Sequence, residues 1–184
     1  MDEIADRYRR VSRRFTEVAS GVPDGAWGNA APCDGWVARD VVAHMVGWMP
    51  AFLHSGGGPP LPPGPAVDED PVGAWTTMND GIQALLDDPD AAASSFAHPQ
   101  AGAHRLADAV AQFFLGDVLV HTWDLARATG QDETLDADEV RALLRGLEPL
   151  DEVLRSSGHY GPKVEVPPDA DEQTRLLAFT GRRP

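Results

Sequence analysis

Along residues 2–20 the apolar positions Ile4, Tyr8, Val11, Phe15 and Val18 recur at alternating steps of four and three, which predicts an amphipathic helix with Asp2 as its cap. Gly21, Pro23, Asp24 and Gly25 break the pattern, and WGNAAPCDGW reads as a loop carrying two tryptophans. A second stripe, Val37, Val41, His44, Trp48 and Phe52, runs until Ser55. Proline lacks an N–H and fixes φ, so SGGGPPLPPGPAVDEDP, from Ser55 to Pro71, is excluded from helix and central strand; it is a long loop, either a lid or disordered. A third helix follows from Val72 to Leu86, with Trp75, Asn79, Ile82 and Leu86 on one side and Pro89 beyond its end.

Residues 87–103 read as irregular or weakly extended. The run from about His104 to Thr129 is the strongest helical signal, with the stripe Leu106, Val110, Phe114, Asp117, His121, Leu125 and Ala128 and a stop at Gly130. Val140, Leu143, Leu147, Leu150 and Leu154 predict a fifth helix bent before Pro149, and QTRLLAF a short sixth. The expectation is an all-α four-helix bundle with additional short helices and long loops, one domain over residues 1–184.

Composition narrows the function classes. Asp plus Glu number 29 against 15 Lys plus Arg, a net charge of −14 that repels a phosphate backbone, so no nucleic-acid partner is expected. No stretch approaches the apolar length of a membrane span, and the N-terminus lacks the apolar core of a signal peptide, so no membrane partner is expected. Cys33 is the sole cysteine and forms no internal disulfide, which agrees with a cytoplasmic location. Lys163 is the only lysine, an arginine bias typical of a GC-rich bacterial genome.

Three polar residues interrupt the apolar stripes. Asp117 and His121, four apart, project from one helix face, and His44 projects from another helix. A buried carboxylate without a partner costs several kcal/mol, a large part of a domain's net stability of about 5–15 kcal/mol. A divalent cation would compensate: two neutral imidazoles and a carboxylate suit zinc and leave a fourth position open. Spacing alone does not establish a metal: a buried Asp/His hydrogen-bond network or a solvated Asp117 accounts for the same pattern.

PCDGWVARDVVAHMVGW (Pro32 to Trp48), GDVLVHTWDLARATGQD (Gly116 to Asp132) and the closing YGPKVEVPPDADEQTRLLAFTGRRP together resemble the family of the N-terminal domain of mycothiol-dependent maleylpyruvate isomerase, within the DinB-like superfamily. The resemblance implies a DinB/YfiT-like four-helix bundle. It also implies a metal held by a His on the second helix and an acidic-x-x-x-His pair on a later one, which fall on His44, Asp117 and His121. The ion implied is zinc, or another divalent metal such as nickel, with mycothiol as thiol cosubstrate. This sequence departs from the isomerase in placing aspartate where the isomerase has glutamate, and in placing Val37 where relatives often carry a capping threonine. It also ends after the bundle, without the isomerase's C-terminal domain, so maleylpyruvate isomerisation itself is not the expected reaction.

Around these ligands, Asp40 and Asp124 are positioned in sequence to accept the second ring N–H of His44 and His121, or else to be surface charges. Trp48 and Trp123, with Trp36, line a pocket beside the metal or are plain core. Arg127 anchors a substrate carboxylate or forms a surface salt bridge. Cys33 reads as a small packed residue, and His54, His98, His104 and His159 as solvated. Two functions follow: a thiol-dependent transferase or isomerase acting on a small electrophile, as monomer or homodimer, or a metal-binding module without turnover.

Overall fold

A computed structural model describes residues 3–156 and 161–184; Asp2 and His159 lie outside the described residues. Helix α1 (Glu3–Ser20) buries Tyr8, Val11, Phe15 and Val18, the face its spacing predicts. Helix α2 (Ala38–Ser55) buries Ala38, Val41, Val42, Met45, Met49 and Leu53. Its inward face is therefore rotated from the predicted stripe, leaving His44, Trp48 and Phe52 half-buried at the edge of the core. Helix α3 (Pro71–Asp87) starts where Asp70 accepts the Gly73 N–H at 2.8 Å and proline occupies the first turn, a position that has no N–H to satisfy. Met78, rather than Asn79, joins Trp75, Ile82 and Leu86 in its core face.

The long loop lies against α3. Leu61 and Pro62 pack against Gly81, and Gly64 against Ala74 and Thr77, so the segment runs back along α3. The stretch expected to be irregular or weakly extended holds α4 (Pro89–Ala93), a short helix not foreseen, and an antiparallel hairpin of β1 (Ser95–His98) and β2 (Gly102–Arg105), with Phe96 opposite His104. The single predicted helix from His104 starts instead at Leu106, because His104 and Arg105 pair in the hairpin, and it divides into α5 (Leu106–Phe113) and α6 (Leu115–Thr129). Phe114 joins the two with helical dihedrals, and its N–H and C=O still bond to Val110 and Val118 at 2.9 Å.

Helices α1 and α2 each pack on both α3 and α6, closing a four-helix bundle. In its core the Phe15 and Trp75 rings lie 4.2 Å apart, and the Trp75 indole donates to Thr16 Oγ1 at 2.8 Å, so burial leaves no orphaned N–H. Helix α7 (Ala137–Leu147) leans on α6, where Gly116 admits Leu143: a Cβ there would stand 2.8 Å from Leu143 Cδ1. Pro149 sits in a 3-10 turn before α8 (Asp151–Ser156), and α9 (Glu172–Phe179) packs on α7. The fold is all-α apart from the small hairpin, as the resemblance implies. Among the described residues no helix is long and apolar enough to cross a membrane.

Candidate metal centre

The i, i+4 spacing in α6 sets Asp117 and His121 one turn apart, and the edge position of His44 in α2 brings it to the same point. Asp117 Oδ2 lies 3.3 Å from His44 Nε2, and Asp117 Oδ1 lies 3.5 Å from His121 Nε2. The two imidazole rings are 4.9 Å apart between centroids. Trp36 stacks on His121 at 5.9 Å and tilts over His44 at 5.1 Å, while Trp48 donates its indole N–H to Asp117 Oδ2 at 2.8 Å. The side chains of His44 and Asp117 keep 31% and 28% of their exposure against 6% for His121, so the cluster opens outward on one side.

The donor atoms of His44, Asp117 and His121 all lie within 4.8 Å of one another. Charge-assisted hydrogen bonds run at about 2.7–2.9 Å, and the contacts here at 3.3 and 3.5 Å are longer. Each histidine nitrogen faces a different oxygen of the Asp117 carboxylate, so the two rings flank one carboxylate that an ion could share with both. Donor types, proximity within 4.8 Å and an open side fit a divalent ion.

The electrostatics follow from burial against mutual attraction. Burial pushes the Asp117 carboxyl up, but His121, His44 and the Trp48 N–H outweigh it and hold the group below its ordinary value. Burial pushes His121 down, yet it faces Asp117 and Asp124, which drive it up to about 10. Asp124 is held low in the same way, with His121 and Arg182 outweighing its burial. His121 Nδ1 stands 2.8 Å from Asp124 Oδ2, although its N–H is not aimed as a regular hydrogen bond.

Of the residues singled out from sequence, Asp124 reaches His121 and is fully buried. Asp40 corrects the expectation: its carboxylate accepts the Val37 N–H at 2.8 Å, tying down the start of α2 where valine offers no capping oxygen. Trp48 borders the cluster; Trp123 does not, being packed in the core at 1% exposure. Arg127 lies 4.7 Å over the Trp123 ring and pairs with Glu133 at 2.6 Å, the salt-bridge alternative. Cys33 comes closer than expected, with Sγ 3.6 Å from both Asp124 Oδ2 and Arg182 Nη2. Cys33, His121 and Asp124 form a second set of donor types, but Arg182 already grips Asp124 there.

Arg182 went unread because nothing local links a C-terminal arginine to α6. His98 and His104 are not simply solvated. His98 Nδ1 accepts the N–H groups of Gln100 and Ala101 at 3.2 Å, and His104 Nε2 meets Ala101 O at 2.7 Å, both shaping the hairpin turn. His54 is exposed, as expected.

Comparison with known proteins agrees with this architecture. The chain is 26% identical over 181 residues, 95% of each chain, to the uncharacterized protein Rv0738 of Mycobacterium tuberculosis (strain ATCC 25618 / H37Rv). The same figures hold for the uncharacterized protein MT0763 of strain CDC 1551 / Oshkosh. No solved structure matches the chain significantly. The family described as the mycothiol maleylpyruvate isomerase N-terminal domain matches residues 8–126, well over half of the sequence and inclusive of His44, Asp117, His121 and Asp124. The chain belongs to the mycothiol maleylpyruvate isomerase N-terminal domain family.

Proposed function

We propose that His44, Asp117 and His121 hold one divalent ion, zinc in preference to nickel, and that the chain acts as a thiol-dependent transferase or isomerase on a small electrophile. The observation that carries the reading is the convergence of two imidazoles and a carboxylate, their donor atoms within 4.8 Å of one another at a point that opens outward. A bound zinc ion would supply a fourth, open position at which a small thiol such as mycothiol loses its proton.

The chain's own residues prepare that position. Asp117 brings one negative charge and the neutral histidines none, so one positive charge of a divalent ion is left for a thiolate to balance. Trp36 and Trp48 wall the cluster with aromatic surface, which favours such a neutral set over a charged one. Trp48 also fixes the carboxylate by its indole N–H. The C-terminal segment belongs to the same folded unit in this reading, since α9 packs on α7 and Arg182 meets Asp124.

Cobalt substitution followed by titration with mycothiol, and glutathione for comparison, tests the proposal. Sulfur ligation is expected to give an intense near-ultraviolet charge-transfer band, with metal-dependent thiol transfer to a panel of small electrophiles. Absence of the band with every thiol, together with no turnover, would leave a metal-binding module without catalysis.

A further inference from the structure

The chain reverses after α9 in a way that sends its tail back to α6. Thr180, Gly181 and Arg182 donate their backbone N–H groups to Leu176, Ala178 and Leu177 carbonyls at 3.0, 3.1 and 2.9 Å. This closure requires a left-handed residue just past the helix, and Gly181 supplies it with φ 88°. Space is short as well as twist: a Cβ on Gly181 would stand 3.2 Å from Pro162 O.

The reversal carries Arg182 into the protein, where its side chain is only 17% exposed. Its Nη2 donates to Asp124 Oδ2 at 2.8 Å and its Nε to Asp124 Oδ1 at 3.3 Å, one guanidinium edge across both carboxylate oxygens. Nη1 donates to Thr180 O at 3.1 Å, which ties the fork to the turn. Asp124 is 0% exposed, and its Oδ2 is also the atom facing His121 Nδ1 at 2.8 Å. A continuous line of contacts thus runs from the C-terminal tail to the ring whose other nitrogen faces Asp117.

We propose that Arg182 is a positioning residue for His121, acting through Asp124, so that a segment outside the matched residues 8–126 completes the metal centre. The inference rests on the reading of His121 as a ligand. The planar fork fixes the plane of the carboxylate in a way a lysine ammonium does not. The fixed carboxylate in turn sets the orientation of the imidazole and which of its nitrogens is free to ligate. Arg182 also supplies a charge that compensates the fully buried Asp124.

The test compares the full chain with Arg182→Ala, Arg182→Lys and Arg155→Ala. Arg155 steadies the same tail elsewhere, donating to Phe179 O and lying 4.9 Å over the Phe179 ring. Zinc affinity is read by competition with a chromophoric chelator, and the metal-free His121 ring by its nitrogen-15 and proton NMR signals. Arg182→Ala is expected to weaken zinc binding about 10- to 100-fold and to shift the Nδ1 signal. Arg182→Lys should fall between that variant and the wild type, and Arg155→Ala should leave both readouts unchanged. If Arg182→Ala does not fold, Arg182→Lys decides by the same two readouts. Wild-type affinity with an unmoved ring signal in the Arg182 variants overturns the proposal. A wild-type chain that binds no zinc defeats the ligand reading instead, and the ring signal still decides the role of Arg182.

Discussion

The Trp48 indole N–H donates to Asp117 Oδ2 at 2.8 Å, so the carboxylate that faces both histidines is held by a side chain one turn along α2 from His44. A hydrogen bond to an ionised group contributes about 1.5–3 kcal/mol when buried, and the partial exposure of Asp117 reduces that to about 1 kcal/mol. Trp48→Phe, which keeps the ring and loses the donor, should destabilise the metal-free protein by that amount in urea unfolding. An unchanged midpoint would show that the bond carries no net stability.

Protons compete with a cation at His121. Because its value in the folded chain is about 10, His121 is protonated at neutral pH without metal, and a bound ion must displace that proton. Affinity should therefore rise as pH rises from 6 to 9, with proton release visible by calorimetry in buffers of different ionisation enthalpy. A pH-independent affinity would contradict the assignment of His121 as ligand.

The same cluster sets a stability window for the metal-free chain. His121 is raised above its ordinary 6.5, so its contribution is whole below 6.5 and is lost as pH climbs through about 10. Asp117 and Asp124 are lowered from 3.8, so theirs is whole above 3.8 and is lost as pH falls through their depressed values. The melting temperature of chelated protein should be highest between pH 3.8 and 6.5 and fall from pH 7 to 10. A rising melting temperature over that alkaline range would refute the His121 contribution.

Gly56 ends α2 beneath the aromatic cluster of the hairpin. A Cβ there would stand 2.0 Å from Phe96 Cε2, and Phe96 is fully buried against Phe52 at 5.2 Å. Gly56→Ala should cost about 1–3 kcal/mol by overpacking, seen as a lower melting temperature. A wild-type melting curve would mean that Phe96 has room to move.

How much of this was legible in the sequence varies with how local the signal is. The faces of α1 and α3 were readable because apolar and polar residues alternate with helical period over four turns. In α2, adjacent apolar residues such as Val41 and Val42 support two overlapping stripes, and the one through His44, Trp48 and Phe52 lies off the core. Helix α6 buries every residue from Val118 to Ala126, so periodicity could not separate the site-facing His121 from the core-facing Trp123. The i, i+4 pair and the family motifs picked out Asp117 and His121 regardless. Arg182 depends on a reversal at Gly181 and a contact across 58 positions, which no local pattern encodes.

Elemental analysis after mild chelation and zinc reloading decides whether His44, Asp117 and His121 bind one divalent ion. Close to one ion per chain is expected in the wild type, with occupancy lost in both His44→Ala and His121→Ala while the helical circular dichroism remains. Full occupancy in both single variants would contradict that assignment.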